Sequence, residues 1–181
     1  SHIREVDSII HMIRCFESDD IQNVNPTVDP VRDLEIIETE MMLADLESIQ
    51  KRLEKSNKKN VDEELLKILE MALDCINKDK DISVIKTEFS KKLLNQSGLL
   101  SLKPKIFVCN VDEKSVQNGN NYTKMFVNKY GSENTLIVSA DIENQINELD
   151  IDERKNYMEM IGLKSTGLSL LIQKAYNILG L

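Results

Sequence analysis

The sequence predicts an α/β domain, a parallel sheet with helices on its faces, interrupted by an inserted antiparallel helical hairpin. Three observations carry this. Short apolar runs at 8–16, 105–111 and 135–140 alternate with helical stretches, and strands separated by helices pair in parallel. Between the first and second runs lie two amphipathic stripes with helical spacing. The second and third runs end abruptly in polar clusters, where open α/β sheets bind ligands beyond the carboxyl ends of their strands.

Each element follows in order. "SIIHMIRCF" (8–16) is apolar and bounded by charge, so it reads as a buried strand, with His11 a packed core residue rather than a ligand. "ESDDIQNVNPTVDPVR" (17–32) reads as a loop, because Asn25-Pro26 and Asp29-Pro30 favour extended or turn geometry. A helix is expected from Asp33, with Met42, Leu46, Ile49 and Leu53 on one face. "NKKN" (57–60) breaks it, and Asn60 with Glu63 three residues on has the pattern of a capping box. The second helix carries Leu66, Leu69, Leu73 and Ile76. The pair can be a plain hairpin packed on itself or an arm that contacts a partner. Each stripe covers only about two heptads, too few for a long coiled coil.

Residues 84–96 are expected to form a further helix that stops at Ser97-Gly98. Pro104 opens the strand at 105–111, and an Asn-rich loop (117–121) precedes a helix that Gly131 closes. "TLIVSA" (135–140) is the third strand. A helix starts near Asp141, another runs from Asp152 to Gly162, and Ser165 or Thr166 caps the last. Its predicted apolar face is Leu168, Leu171, Ile172, Ala175 and Leu179.

Composition narrows the chemistry. The chain of 181 residues has a net charge of −8, and an acidic surface repels phosphate backbones, which argues against direct nucleic-acid binding by this chain. No apolar run approaches the roughly 20 residues of a membrane span. Cys15, Cys75 and Cys109 each sit in an apolar run and read as buried free thiols. None of the six glycines fits GxxxxGK[ST], and there is no DxxG, so no triphosphate cradle is visible. No catalytic or metal-binding residue is assigned. The chain opens on "SHIREVDSII", without Met or a capping signal, and is expected to be a fragment of a longer protein.

Asn110–Glu113 ("NVDE") and Ser139–Glu143 ("SADIE") end the second and third strands. An asparagine offers a donor and an acceptor to a purine edge, and a carboxylate accepts from N–H groups. By spacing alone these clusters suit ordinary turns as readily as a base pocket.

Several stretches resemble one family. "SHIREVDSIIHMIRCFE" resembles the segment after switch II in the YchF, or Obg-like ATPase, family. This is a branch of the translation-factor-related P-loop NTPases, whose members also go by the description EngD-type GTP-dependent nucleic acid-binding protein. "VDPVRDLEIIETEMMLADLESIQKRLEK" is similar to its hallmark "VDP…D…I..EL.LADLE….R", and "KPKIFVCNVDE" to its "KP..YV.NV.E". "SADIENQINELDIDERKNYMEMIGLKSTGLSLLIQKAYNILGL" resembles its C-terminal "SA..E.EL.EL…ER.E….LGL..SGL..LI...Y.LLGL".

The resemblance implies the C-terminal part of a P-loop NTPase G-domain with a helical, coiled-coil-like insertion. Residues 1–32 and 101–181 would be G-domain and 33–100 the insertion, with the P-loop before Ser1 and a TGS domain after Leu181. It implies a cytoplasmic, ribosome-associated hydrolase of ATP in preference to GTP. Its Mg2+ ligands would lie outside this chain, which alone would be inactive. The runner-up is a non-catalytic helical module that docks on ribosome or protein. Relatives with "NKxD" read guanine through its Asp, and the family's "NxxE" fits 110–113. Asn110 then contacts the base edge, Val111 replaces the lysine and acts through its main chain, and Glu113 takes the place of the guanine-reading Asp. Ser139 and Ala140 match the second base loop. Asp112 departs from the pattern and leaves a guanine contact open.

Overall fold

The computed structural model describes residues 5–17, 27–56 and 62–181. The strands are β1 (Ile9–Arg14), β2 (Lys105–Asn110) and β3 (Thr135–Val138). The helices are α1 (Pro30–Ser56), α2 (Glu63–Asn77), α3 (Lys91–Gln96), α4 (Asn121–Tyr130), α5 (Ala140–Asn147), α6 (Ile151–Ile161) and α7 (Gly167–Leu179). Short 3-10 turns cover Ile82–Thr87, Leu100–Leu102 and Glu113–Ser115. The chain divides into two compact units, one of residues 1–9 and 35–104, the other of 10–34 and 105–181.

The second unit holds the sheet, in the order β1-β2-β3. β2 and β3 are parallel, with Phe107 opposite Thr135 and Asn110 opposite Val138. Along β1, the Ile9 amide donates to the Pro104 carbonyl and the Cys15 amide to the Asn110 carbonyl, so β1 and β2 also ascend together. β2 is apolar on both sides, as a covered parallel strand must be. On one side Cys109 and Val111 pack with Ile13, Cys15, Leu34 and Phe126. On the other, Ile106 and Val108 pack with Val138 and with Leu171, Ala175 and Ile178 of α7. The predicted face of α7 is thus corrected: Leu168 and Ile172 are exposed, and Ile178 takes the inward place.

His11 lies in this layer as a packed residue. It is buried and stacks on Phe107 with ring centroids 5.7 Å apart. Its Nε2 has no hydrogen-bond partner. Burial, with a smaller push from Lys105, holds the imidazole below its ordinary pKa of 6.5.

The first unit is helical. Ile49 of α1 shares a core with Ile68, Leu69, Ala72 and Cys75 of α2, and with Ile85, Leu94, Leu99 and Leu102. The inward face of α2 is therefore rotated from the predicted stripe. Leu69 is common to both, but Leu66, Leu73 and Ile76 are only partly buried. Leu73 and Ile76 still pack against that core from its margin. Asp45 is fully buried on α1, and its two carboxylate oxygens accept from the amides of Leu100 and Ser101, each at 2.8 Å.

Other boundaries also moved. α1 begins at Pro30, not Asp33, because Asp29 accepts from the Arg32 amide at 3.0 Å and Pro30 takes a first-turn position where no amide is required. Asn60 lies outside the described residues. The cap of α2 is Asp62, which accepts from the Glu64 amide at 3.0 Å. The helix expected over 84–96 is two pieces, since Asp81 caps a 3-10 turn and Ser90 caps α3 afresh by accepting from Leu93. β3 stops at Val138 because Ser139 already caps α5. Cys15, Cys75 and Cys109 are free and buried, as the sequence predicts. No helix among the described residues is long and apolar enough to cross a membrane.

Two outcomes are expected. The unfolded chain binds a proton at His11 near its ordinary 6.5 and the folded chain only at lower pH, so stability is lost as pH falls from about 6.5 towards the depressed value. Thermal unfolding from pH 8 to 5 should show this slope, and His11→Phe, which keeps the stack, should flatten it. Asp45→Ala leaves two amides without their acceptor and should cost about 3 kcal/mol in urea unfolding.

Candidate functional site

The carboxyl ends of β2 and β3 are level, and the site is built there. Asn110 is the last residue of β2. Its Oδ1 accepts from the Ala140 amide at 2.9 Å, joining the loop after β2 to the start of α5. Ala140 is the first residue of α5, where a helix leaves its amides without internal partners. Ser139 is buried and caps the same helix, its hydroxyl accepting from the Ile142 amide at 3.3 Å. With Oδ1 anchored, the Asn110 side-chain amine has no hydrogen bond to a described residue.

Val111 is buried among Ile13, Leu34 and Phe126, and its amide donates to the Val138 carbonyl at 2.9 Å. Its side chain belongs to the core, so any part it plays in a site is through its main chain. Asp112 is exposed, stands before the 3-10 turn Glu113–Ser115 and makes no side-chain cap bond. Glu113 opens that turn with its carboxylate exposed. Its Oε1 accepts from Gln145 Nε2 at 2.9 Å, and Gln145 Oε1 in turn accepts from the Tyr157 hydroxyl. Five residues singled out in the sequence are thus gathered at one sheet edge: Asn110, Val111, Glu113, Ser139 and Ala140. Gln145 and Tyr157 join them without any signal in the sequence. Their connection to Glu113 runs between separate elements.

The surrounding loops are pinned. Asn120 caps α4, and its Nδ2 donates to the Cys15 carbonyl at 2.7 Å, tying the end of β1 to the loop beyond Glu113. Glu143 reaches the start of α7, accepting from the Gly167 amide at 2.6 Å. A Cβ on Gly167 would lie 2.7 Å from Val138 Cγ1 and 2.9 Å from Glu143 Oε1, so this close approach needs glycine. Beneath the site the free Cys15 and Cys109 thiols are hydrogen-bonded to each other, and that hydrogen bond with burial pushes the Cys15 thiol far up. It is an inert core thiol rather than a nucleophile.

Open α/β sheets bind their ligands beyond the carboxyl ends of the strands, and the anchored polar loops of this parallel sheet lie there. No protein-family model matches the chain. Curated relatives do. The chain is 37% identical over 191 aligned residues to the Ribosome-binding ATPase YchF of Bacillus subtilis, covering 100% of this chain and 52% of that protein. It is 34% identical to that of Haemophilus ducreyi and 32% identical to that of Mycoplasma pneumoniae, with 100% of this chain and 52% or 53% of each relative covered. The solved structure of the Schizosaccharomyces pombe YchF GTPase superimposes with a TM-score of 0.76 at 25% identity, over 98% of this chain and 51% of that one. The fold is that of the YchF P-loop GTPases. Over all 181 residues the chain belongs to the YchF family, and it spans about half the length of the curated relatives it matches.

The Asn110–Ala140 bond can be read directly. Asn110→Ala removes the acceptor, so the Ala140 amide should exchange with solvent about tenfold faster. Asn110→Asp keeps an acceptor and should preserve the protection. Equal exchange rates in all three proteins would contradict the bond.

Proposed function

We propose that the chain carries the base-reading part of the nucleotide site of a ribosome-binding ATPase, with ATP preferred over GTP. The observation that carries this reading is the Asn110–Ala140 bond. It fixes the Asn110 amide at a strand-end edge and leaves its amine to donate to a purine ring nitrogen. The Ser139–Ala140 segment supplies main chain at the start of α5, and Glu113 supplies an acceptor for an exocyclic amine. The relatives' names, Ribosome-binding ATPase YchF, support hydrolysis of ATP and a ribosome as partner. ATP is then the nucleotide and Mg2+ its companion, with no Mg2+ ligand assigned among these residues.

The same reading takes residues 1–32 and 101–181 as G-domain and 33–100 as a helical insertion. The separate helical core around Ile49, Leu69 and Leu99 supports a helical insertion over most of 33–100, and the compact helical unit also takes in residues 1–9 and 101–104. The parent protein is cytoplasmic in this account, and these residues alone do not hydrolyse ATP, because no triphosphate cradle is present in their sequence.

In the full-length gene product, Asn110→Ala should weaken ATP binding about tenfold, as loss of a base contact and of loop anchoring would. Unchanged affinity would end the base-loop assignment. The 181-residue chain by itself should bind ATP more weakly than micromolar by calorimetry. Micromolar binding would place the phosphate contacts inside this chain.

A further inference from the structure

The carboxylate of Glu113 does not stand alone. Its Oε1 is held by Gln145 Nε2 at 2.9 Å. Gln145 sits on α5, and its Oε1 is held by the hydroxyl of Tyr157, on α6. The order of donors is fixed by chemistry. The carboxylate can only accept, so it takes the Gln145 amide N–H, and the amide oxygen is left to accept from the Tyr157 hydroxyl. Glu113 and Gln145 are exposed and Tyr157 is half-buried, so the relay contributes little to folding.

Its consequence lies in base choice. Guanine presents two adjacent donors, the ring N1–H and the exocyclic amine, and a free carboxylate meets both with its two oxygens. Adenine presents one exocyclic amine beside an unprotonated ring nitrogen, which a second carboxylate oxygen would repel. When Gln145 donates to Oε1, it takes one of that oxygen's two lone pairs and fixes its direction, so Oε2 is the freer acceptor for the base. A single acceptor suits adenine and fails to satisfy the paired donors of guanine, which are then buried without a partner.

We propose that Gln145 and Tyr157 are positioning residues for base selection: they engage one oxygen of Glu113 so that the loop accepts an adenine edge and rejects guanine. This rests on the reading of 110–113 as a base loop. The test uses the full-length gene product and compares the Kd values for ADP and GDP in the unmodified protein and in Gln145→Ala, Tyr157→Phe and Asn110→Ala. Gln145→Ala frees Oε1 and should shift the ADP-to-GDP preference towards GDP by about tenfold. Tyr157→Phe keeps the ring and should shift it the same way by a smaller factor. A merely structural role would weaken both nucleotides alike and leave the ratio unchanged. If Asn110→Ala weakens binding but the ratio stays constant in Gln145→Ala, the relay is overturned and the base loop survives. If Asn110→Ala changes neither nucleotide, the base-loop reading itself falls, and the relay with it.

Discussion

The in-phase parallel pairing of β2 with β3 governs the second unit. Asn110 faces Val138 across the ladder, so both strands end at the same level and their loops leave side by side. A slip of one residue would turn Ile106 and Val108 out of the layer beneath α7 and Cys109 and Val111 out of the layer with Phe126. Both faces of β2 are covered, so the register is enforced from two sides. The reach from Asn110 to the Ala140 amide is a consequence of that level ending, as is the room for Ser139 to cap α5.

Around this edge the chain uses small polar devices rather than bulk. Asn120 ties the end of β1 to α4, Glu143 ties α5 to the first amides of α7, and Gln145 ties α5 to Glu113. Each satisfies donors or acceptors that helix ends and strand ends would otherwise leave open. The result is a set of loops whose polar atoms point in defined directions before any ligand arrives, and such preorganisation lowers the cost of binding.

Much of this was legible in the sequence where local physics decides. The three strands lie within the apolar runs, Gly131 and Gly162 close their helices, and Thr166 caps α7. What could not be read was set by neighbours. Pro30 looked like loop punctuation until Asp29 proved to be its cap. The inward face of α2 is centred on Ile68, Leu69, Ala72 and Cys75, with Leu73 and Ile76 of the expected stripe at its margin. "VIKTEFSKKLLNQ" has helical spacing throughout, but Ser90 satisfies a new helix start and splits it. At the site, the residue types at 110–113 and 139–140 marked the place, whereas Gln145 and Tyr157 enter through contacts between elements that leave no periodic trace.

The claim that unites these observations is that the purine of a bound nucleotide lies against Asn110 and the start of α5. A crystal structure of the full-length gene product with ADP tests it most directly. The account predicts the adenine ring within hydrogen-bond distance of the Asn110 side-chain amine, its exocyclic amine near Glu113, and the Asn110–Ala140 bond intact. An adenine ring that touches none of Asn110, Glu113, Ser139 or Ala140 would contradict it.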